Sequence, residues 1–232
     1  MNYELRMEEM VTNNSQFAIR NSQLRKAFTL VEMLVVIGII AVLIGASVGG
    51  YSAMTKTAEK AKCQELVSNA ATALTALFQK EGAWPRRLAS NGATDGLLDE
   101  NNAVPLAKGG YFSLTTTGSG SNMKLAGNDR FGIVTPWAET VIKRRGTSAA
   151  LGDAVGTATV KDHILHYALD LDGDGVIKGA SVGGESVDIR ATAAVWCVGK
   201  SGGDGGRPWP YSVGRRKDDV YSWSIGQTRD VQ

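Results

Sequence analysis

The chain has 232 residues, 43% of them hydrophobic, which is enough for one or two domains with a buried core. Its formal charge is only +2, and no basic, aromatic-studded stripe stands out, which argues against a nucleic-acid partner. Glycine is abundant at 28 residues and proline scarce at 5, a balance that favours loops and turns over a helical bundle.

Residues 1–27 form a polar leader that ends on the basic pair Arg25–Lys26 and the small Ala27. Met7 and Met10 are alternative starts within it. Phe28 to Tyr51 is then a run of 24 residues with one charge, Glu32. As a helix it is about 36 Å long at ~1.5 Å per residue. That length crosses a hydrocarbon core of roughly 30 Å. The upstream Arg20, Arg25 and Lys26 hold that end in the cytoplasm and send the rest across. A cleaved secretory signal has an apolar stretch of only about 7–15 residues. A plain signal anchor fits the length but leaves Glu32 without a task, and a carboxylate is costly in a bilayer interior.

The stretch RKAFTLVEML, residues 25–34, resembles the N-terminal signature of the type IV pilin and type II secretion pseudopilin superfamily. The resemblance implies cleavage between Ala27 and Phe28 by a prepilin peptidase, N-methylation of Phe28, and Glu32 as the fifth mature residue. The family usually has glycine before the cut, where this chain has Ala27. The resemblance also implies that Glu32 meets the α-amino group of a neighbouring subunit and sets register as a filament grows. In a low dielectric such pairing offsets much of the burial cost of each ion.

After the apolar run, residues 52–82 place Cys63, Leu66, Val67, Ala70, Leu74, Leu77 and Phe78 at spacings of three and four, one helical face. Gly82 and Pro85 stop the pattern, so one helix is expected from about Phe28 to Glu81. Gly45, Gly49 and Gly50 lie between its halves and weaken it locally. Residues 83–232 form the expected extracytoplasmic head. They hold β-type runs at 109–117, 131–137, 163–169, 185–199 and 218–225, separated by Gly, Asn and Asp clusters, with a loop at GSGSN. GAWP at 82–85 resembles the turn that closes the helix in major pseudopilins. The expected fold class is α+β and pilin-like: a long N-terminal helix packed on a small antiparallel sheet.

In the head, DLDGDGVI (170–177) places Asp170, Asp172, Asp174 and Gly175 at positions one, three, five and six of a calcium loop, with Val176 offering a backbone oxygen. Position twelve is Ser181 rather than Glu, so the completing carboxylate falls to Glu185 or Asp188; the rival reading is a solvated acidic turn. Asp204, Asp218 and Asp219 form a second acidic set, similar to the C-terminal calcium loop of major pseudopilins but lengthened by RPWPYSVGRR. Cys63 and Cys197 are either a disulfide or two buried thiols. AVWCVGKS (194–201) lacks the first glycine of a phosphate loop. His163 and His166 have no third ligand and, on a strand, point to opposite faces. Trp209, between two prolines, is a candidate contact residue.

These readings point to a non-enzymatic filament subunit, single-pass in the inner membrane with its head in the periplasm. Calcium is its candidate cofactor. Its implied partners are the prepilin peptidase, other copies of itself in a homo-oligomeric filament, other pseudopilins, the assembly platform and membrane lipid. Two alternatives stand beside it: a calcium-dependent binding module at a filament tip, and a signal-anchored extracytoplasmic enzyme.

Overall fold

The computed structural model describes residues 29–156, 158–182, 185–199, 219–223 and 228–229; the side chains of 46–50, 52–53, 185 and 228–229 are not part of the description. The chain divides into two compact units, Met1–Ala53 and Met54–Gln232. Helix α1, Leu30–Glu81, contributes residues to both.

In the first unit α1 is apolar all round. Leu30, Val31, Ile37, Val42 and Leu43 are all more than 60% exposed. A helix with no polar face needs apolar surroundings on every side. Among the described residues no helix is long and apolar enough to cross a membrane, so the span expected over 28–51 is not confirmed.

In the second unit α1 is amphipathic. Cys63, Val67, Ala70, Leu74 and Leu77 of the expected face are buried, joined by Ala73, while Leu66 and Phe78 are half-buried at its edge. Burying each large apolar side chain contributes roughly 1.5–3 kcal/mol. The helix ends at Glu81, where Gly82 takes a φ of 71° and donates its N–H to the Phe78 carbonyl at 2.8 Å. A residue with a Cβ resists that left-handed turn.

The central sheet has the order β1–β6–β9–β10, with β1 Gly96–Leu97, β6 His166–Leu169, β9 Ala193–Cys197 and β10 Val220–Tyr221, all pairs antiparallel. Alternation along these strands sorts two cores. Tyr167, Leu169, Val195, Cys197 and Val220 share one cluster with the buried face of α1. Ala168, Ala194 and Trp196 share the other with Ile177, Ala180, Val182, Val187 and Ile189 of the ribbon β7 Ile177–Val182 and β8 Glu185–Ile189. Strand β11, Thr228–Arg229, pairs with the other edge of β8. Two-residue ribbons join β2 Thr116–Thr117 to β3 Lys124–Leu125, and β4 Ala154–Val155 to β5 Ala158–Thr159. Short helices α2 Arg86–Asn91 and α3 Val104–Lys108 follow α1, and α4 spans Pro136–Arg145.

Three strand expectations need correction. Residues 131–137 do not form a strand: Gly132 and Val134 make only isolated bridges, and Pro136 opens α4. Proline suits the first helical turn, where its missing N–H costs nothing. The run 185–199 is two strands, because the chain turns between Ile189 and Ala193. In 109–117 only Thr116–Thr117 pairs. The head is therefore a mixed helix and antiparallel-sheet unit, with more helix than the sequence suggests.

Candidate functional site

At the start of α1, Thr29 and Glu32 cap the helix reciprocally. The Glu32 N–H donates to Thr29 Oγ1 at 3.2 Å, and the Glu32 carboxylate accepts from the Thr29 N–H at 2.8 Å and its hydroxyl at 2.9 Å. This is the capping-box arrangement, in which an N-cap hydroxyl and an acid three residues on satisfy each other's donors. The carboxylate of Glu32 thus has a local partner before any second chain is present. Thr29 belongs to the signature stretch RKAFTLVEML, and Thr-x-x-Glu before an apolar run is the signal for its capping role. Arg25, Lys26, Ala27 and Phe28 lie outside the described residues.

The acidic turn after β6 is closed on itself. Asp170 is 4% exposed, and its two oxygens accept the N–H groups of Gly173 and Gly175, each at 2.8 Å. The two glycines have φ of 76° and 81°. Asp174 accepts the Val176 N–H at 2.8 Å. One oxygen from each of Asp170, Asp172 and Asp174 falls within a 4.8 Å span, close enough to share a cation. The cation present is the chain's own. The Lys178 ammonium lies 2.6 Å from Asp172 and 2.5 Å from Asp174. Its hydrogen bond holds the Asp172 carboxyl down to about 2 and pushes the lysine up. Lys178 is the residue that sequence reading missed, four positions beyond the last aspartate of the motif. Calcium needs six to eight oxygens, so it enters only by displacing this ammonium and recruiting further ligands. Of the proposed completing acids, Asp188 is engaged by the Gly179 N–H at 2.9 Å.

Trp84 ties the turn to the end of α1. Its indole N–H donates to the Asp170 carbonyl at 2.7 Å, and its ring stacks on Phe78 with centroids 4.7 Å apart. Of the second acidic set, Asp204 and Asp218 lie outside the described residues, as does Trp209. Asp219 accepts the Gly199 N–H at 2.7 Å and the Tyr221 hydroxyl at 3.3 Å. Cys63 on α1 and Cys197 at the end of β9 are joined as a disulfide.

The two histidines do not act together. His166 faces Asp95, Nδ1 to carboxylate 2.7 Å, and stacks on Trp196. His163 is fully buried beside Trp137, with ring centroids 5.9 Å apart. Burial pushes the His163 imidazole down, against the opposing pull of Asp162 and the Val155 backbone. Because its folded pKa lies below the unfolded value, the unfolded chain binds the extra proton. Stability is then full above the ordinary histidine value of about 6.5 and is lost as pH falls below it, at up to ~1.4 kcal/mol per pH unit. In urea titrations from pH 7 to pH 5, His163→Phe is expected to flatten that slope; an unchanged slope would assign acid sensitivity elsewhere.

No curated protein and no solved structure matches this chain. Residues 23–48 match the Prokaryotic N-terminal methylation motif, which includes the capped Thr29–Glu32 start of α1 and the exposed apolar turns after it. The chain therefore carries the prepilin-type signal of type IV pilins and pseudopilins.

Proposed function

We propose that this protein is a structural filament subunit of a type II secretion pseudopilus or a type IV pilus, made as a membrane-anchored precursor. A prepilin peptidase cuts between Ala27 and Phe28 and methylates the new amine. The subunit then leaves the bilayer for a bundle in which neighbouring helices replace lipid. The observation that carries this reading is the methylation motif at residues 23–48, running directly into a helix whose described apolar side chains are exposed. Such a surface moves from lipid to helix neighbours without meeting water, so the transfer costs little hydrophobic free energy. The resemblance of the GAWP turn and of the acidic set Asp204, Asp218 and Asp219 to major pseudopilins favours the secretion-type major subunit over an adhesive pilin. Mass spectrometry of the protein purified from its own membranes tests the reading. The expected N-terminus is N-methyl-Phe28; an intact Met1, Met7 or Met10 would overturn it.

Calcium at Asp170, Asp172 and Asp174 belongs to the same proposal. The turn already holds an ammonium between two of these carboxylates, and calcium competes for that position. At tenfold excess over its Kd, calcium contributes about 1.4 kcal/mol. In a head of this size that raises Tm by roughly 3–5 °C. Lys178→Ala is expected to tighten calcium binding, read as a larger shift at the same concentration. No shift in either protein would remove the metal.

A further inference from the structure

A groove of about 970 Å³ opens in the head between the end of α1, α3 and the β2–β3 ribbon. Five Lys and Arg side chains line it against two carboxylates, Glu81 and Glu100. Arg130 is already held by the carbonyls of Gly127, Gly146 and Ala149, but Lys108 and Lys124 stand exposed at the rim. The groove also has an apolar wall, to which Leu77 and Leu125 contribute. A cationic rim over an apolar wall fits an acidic segment that also offers a hydrophobic side chain.

The chain presents such a segment. In the turn at 170–175, Leu171 is 49% exposed, between two aspartates. Asp172 and Asp174 are both exposed, and Lys178 is one ammonium against three carboxylates, so the calcium-free turn stays acidic, and docking and calcium compete for it. An exposed ion pair of this kind is worth roughly 0–1 kcal/mol and yields readily to a better-placed cation. We infer that the Leu171–Asp174 turn of one copy docks in the Lys108–Lys124 groove of the next, as a head-to-head contact of the assembled filament. Groove and turn are different surfaces, so the contact is heterologous. Repeated without closure, such a contact propagates a helical array. This inference rests on the filament reading above and adds to it the surface through which neighbouring heads touch.

The test uses the full-length chain assembled in its own membranes. A Leu171→Cys, Lys124→Cys protein is treated with a short bismaleimide; Cys63 and Cys197 are buried and bridged, and do not react. The expected result is a ladder of covalent oligomers that either single substitution fails to give. In parallel, Lys108→Glu with Lys124→Glu, or Asp172→Lys alone, is expected to lower filament yield by about tenfold or more through like-charge opposition. Combining them is expected to restore most of it. Filaments that form normally but yield no ladder, or a charge swap that restores nothing while the heads melt normally, would overturn the docking and leave the filament reading intact. A crosslink to a different protein would overturn it too. Absence of filaments from the wild-type chain with an uncut leader would instead strike the filament reading itself.

Discussion

Glu32→Gln is expected to leave the head folded and the chain inserted, yet to reduce filament yield nearly as far as Glu32→Ala does. The pair of substitutions separates two tasks that the carboxylate can perform. Glu32 closes a capping box with Thr29. Glutamine at the same position also reaches back to the N-cap N–H, so it keeps most of the local helix start. Alanine loses it, at a cost of about 1 kcal/mol. Neither can neutralise a neighbour's α-amino group. Leaving a buried charge unpaired costs about 3–5 kcal/mol, or roughly two to four orders of magnitude in association. If charge pairing drives assembly, Gln and Ala fail together. If Gln assembles normally and Ala does not, the residue matters as a cap, and register must come from elsewhere. Filament yield by sedimentation, with head melting as the folding control, distinguishes these outcomes.

How far the structure could be read from the sequence depended on the range of the signal. The prepilin-type signal is local and ordered: charge, small residue, aromatic, glutamate. It therefore stands out within ten residues, and residues 23–48 match the methylation motif. The buried face of α1 was equally legible, because spacings of three and four repeat from Cys63 to Leu77 without interruption. Strands β6 and β9 were legible as apolar runs, but the break between β8 and β9 was not, because Arg190 and Thr192 read as outward-facing strand residues.

Residues 131–137 misled for a different reason. Phe131, Ile133, Val134 and Thr135 have the branched and aromatic composition of a strand, yet Thr135–Pro136 is also a helix start, and Lys143–Arg145 suit the last turn of a helix. The second pattern wins because the ten-residue α4 buries Trp137, Ala138, Val141 and Ile142, more apolar surface than a short edge strand offers. The acidic turn shows the other limit. Its three aspartates announce a cation, but only the fold brings Lys178 back across them, because β7 must first start at Ile177. Which cation fills a site depends on residues that a motif does not contain.

Removing the disulfide is expected to produce a large loss of head stability. Cys63 and Cys197 are separated by 134 positions, and both are buried, at 0% and 1% exposure. In the chain-entropy account a bridge closing so long a loop contributes about 5 kcal/mol by restricting the unfolded chain. That is a large fraction of the roughly 5–15 kcal/mol that stabilises a typical domain. The bridge also fastens the amphipathic half of α1 to the central strand β9, the contact on which the main core is built. The double variant Cys63→Ala, Cys197→Ala is therefore expected to lower Tm by roughly 10–20 °C, at about 2–4 °C per kcal/mol. Alanine is the better replacement, since serine would bury two hydroxyls without fixed partners. Thiol counting tests the covalent link directly. Protein unfolded in guanidinium without reductant should show no free thiol, and two after reduction. Two thiols before reduction would mean that the cysteines are merely packed together, and the double variant would then lose only the free energy of a small cavity. Burial adds a kinetic signature: reductant should act on the folded head only as fast as the head opens, and sub-denaturing urea should accelerate the reaction.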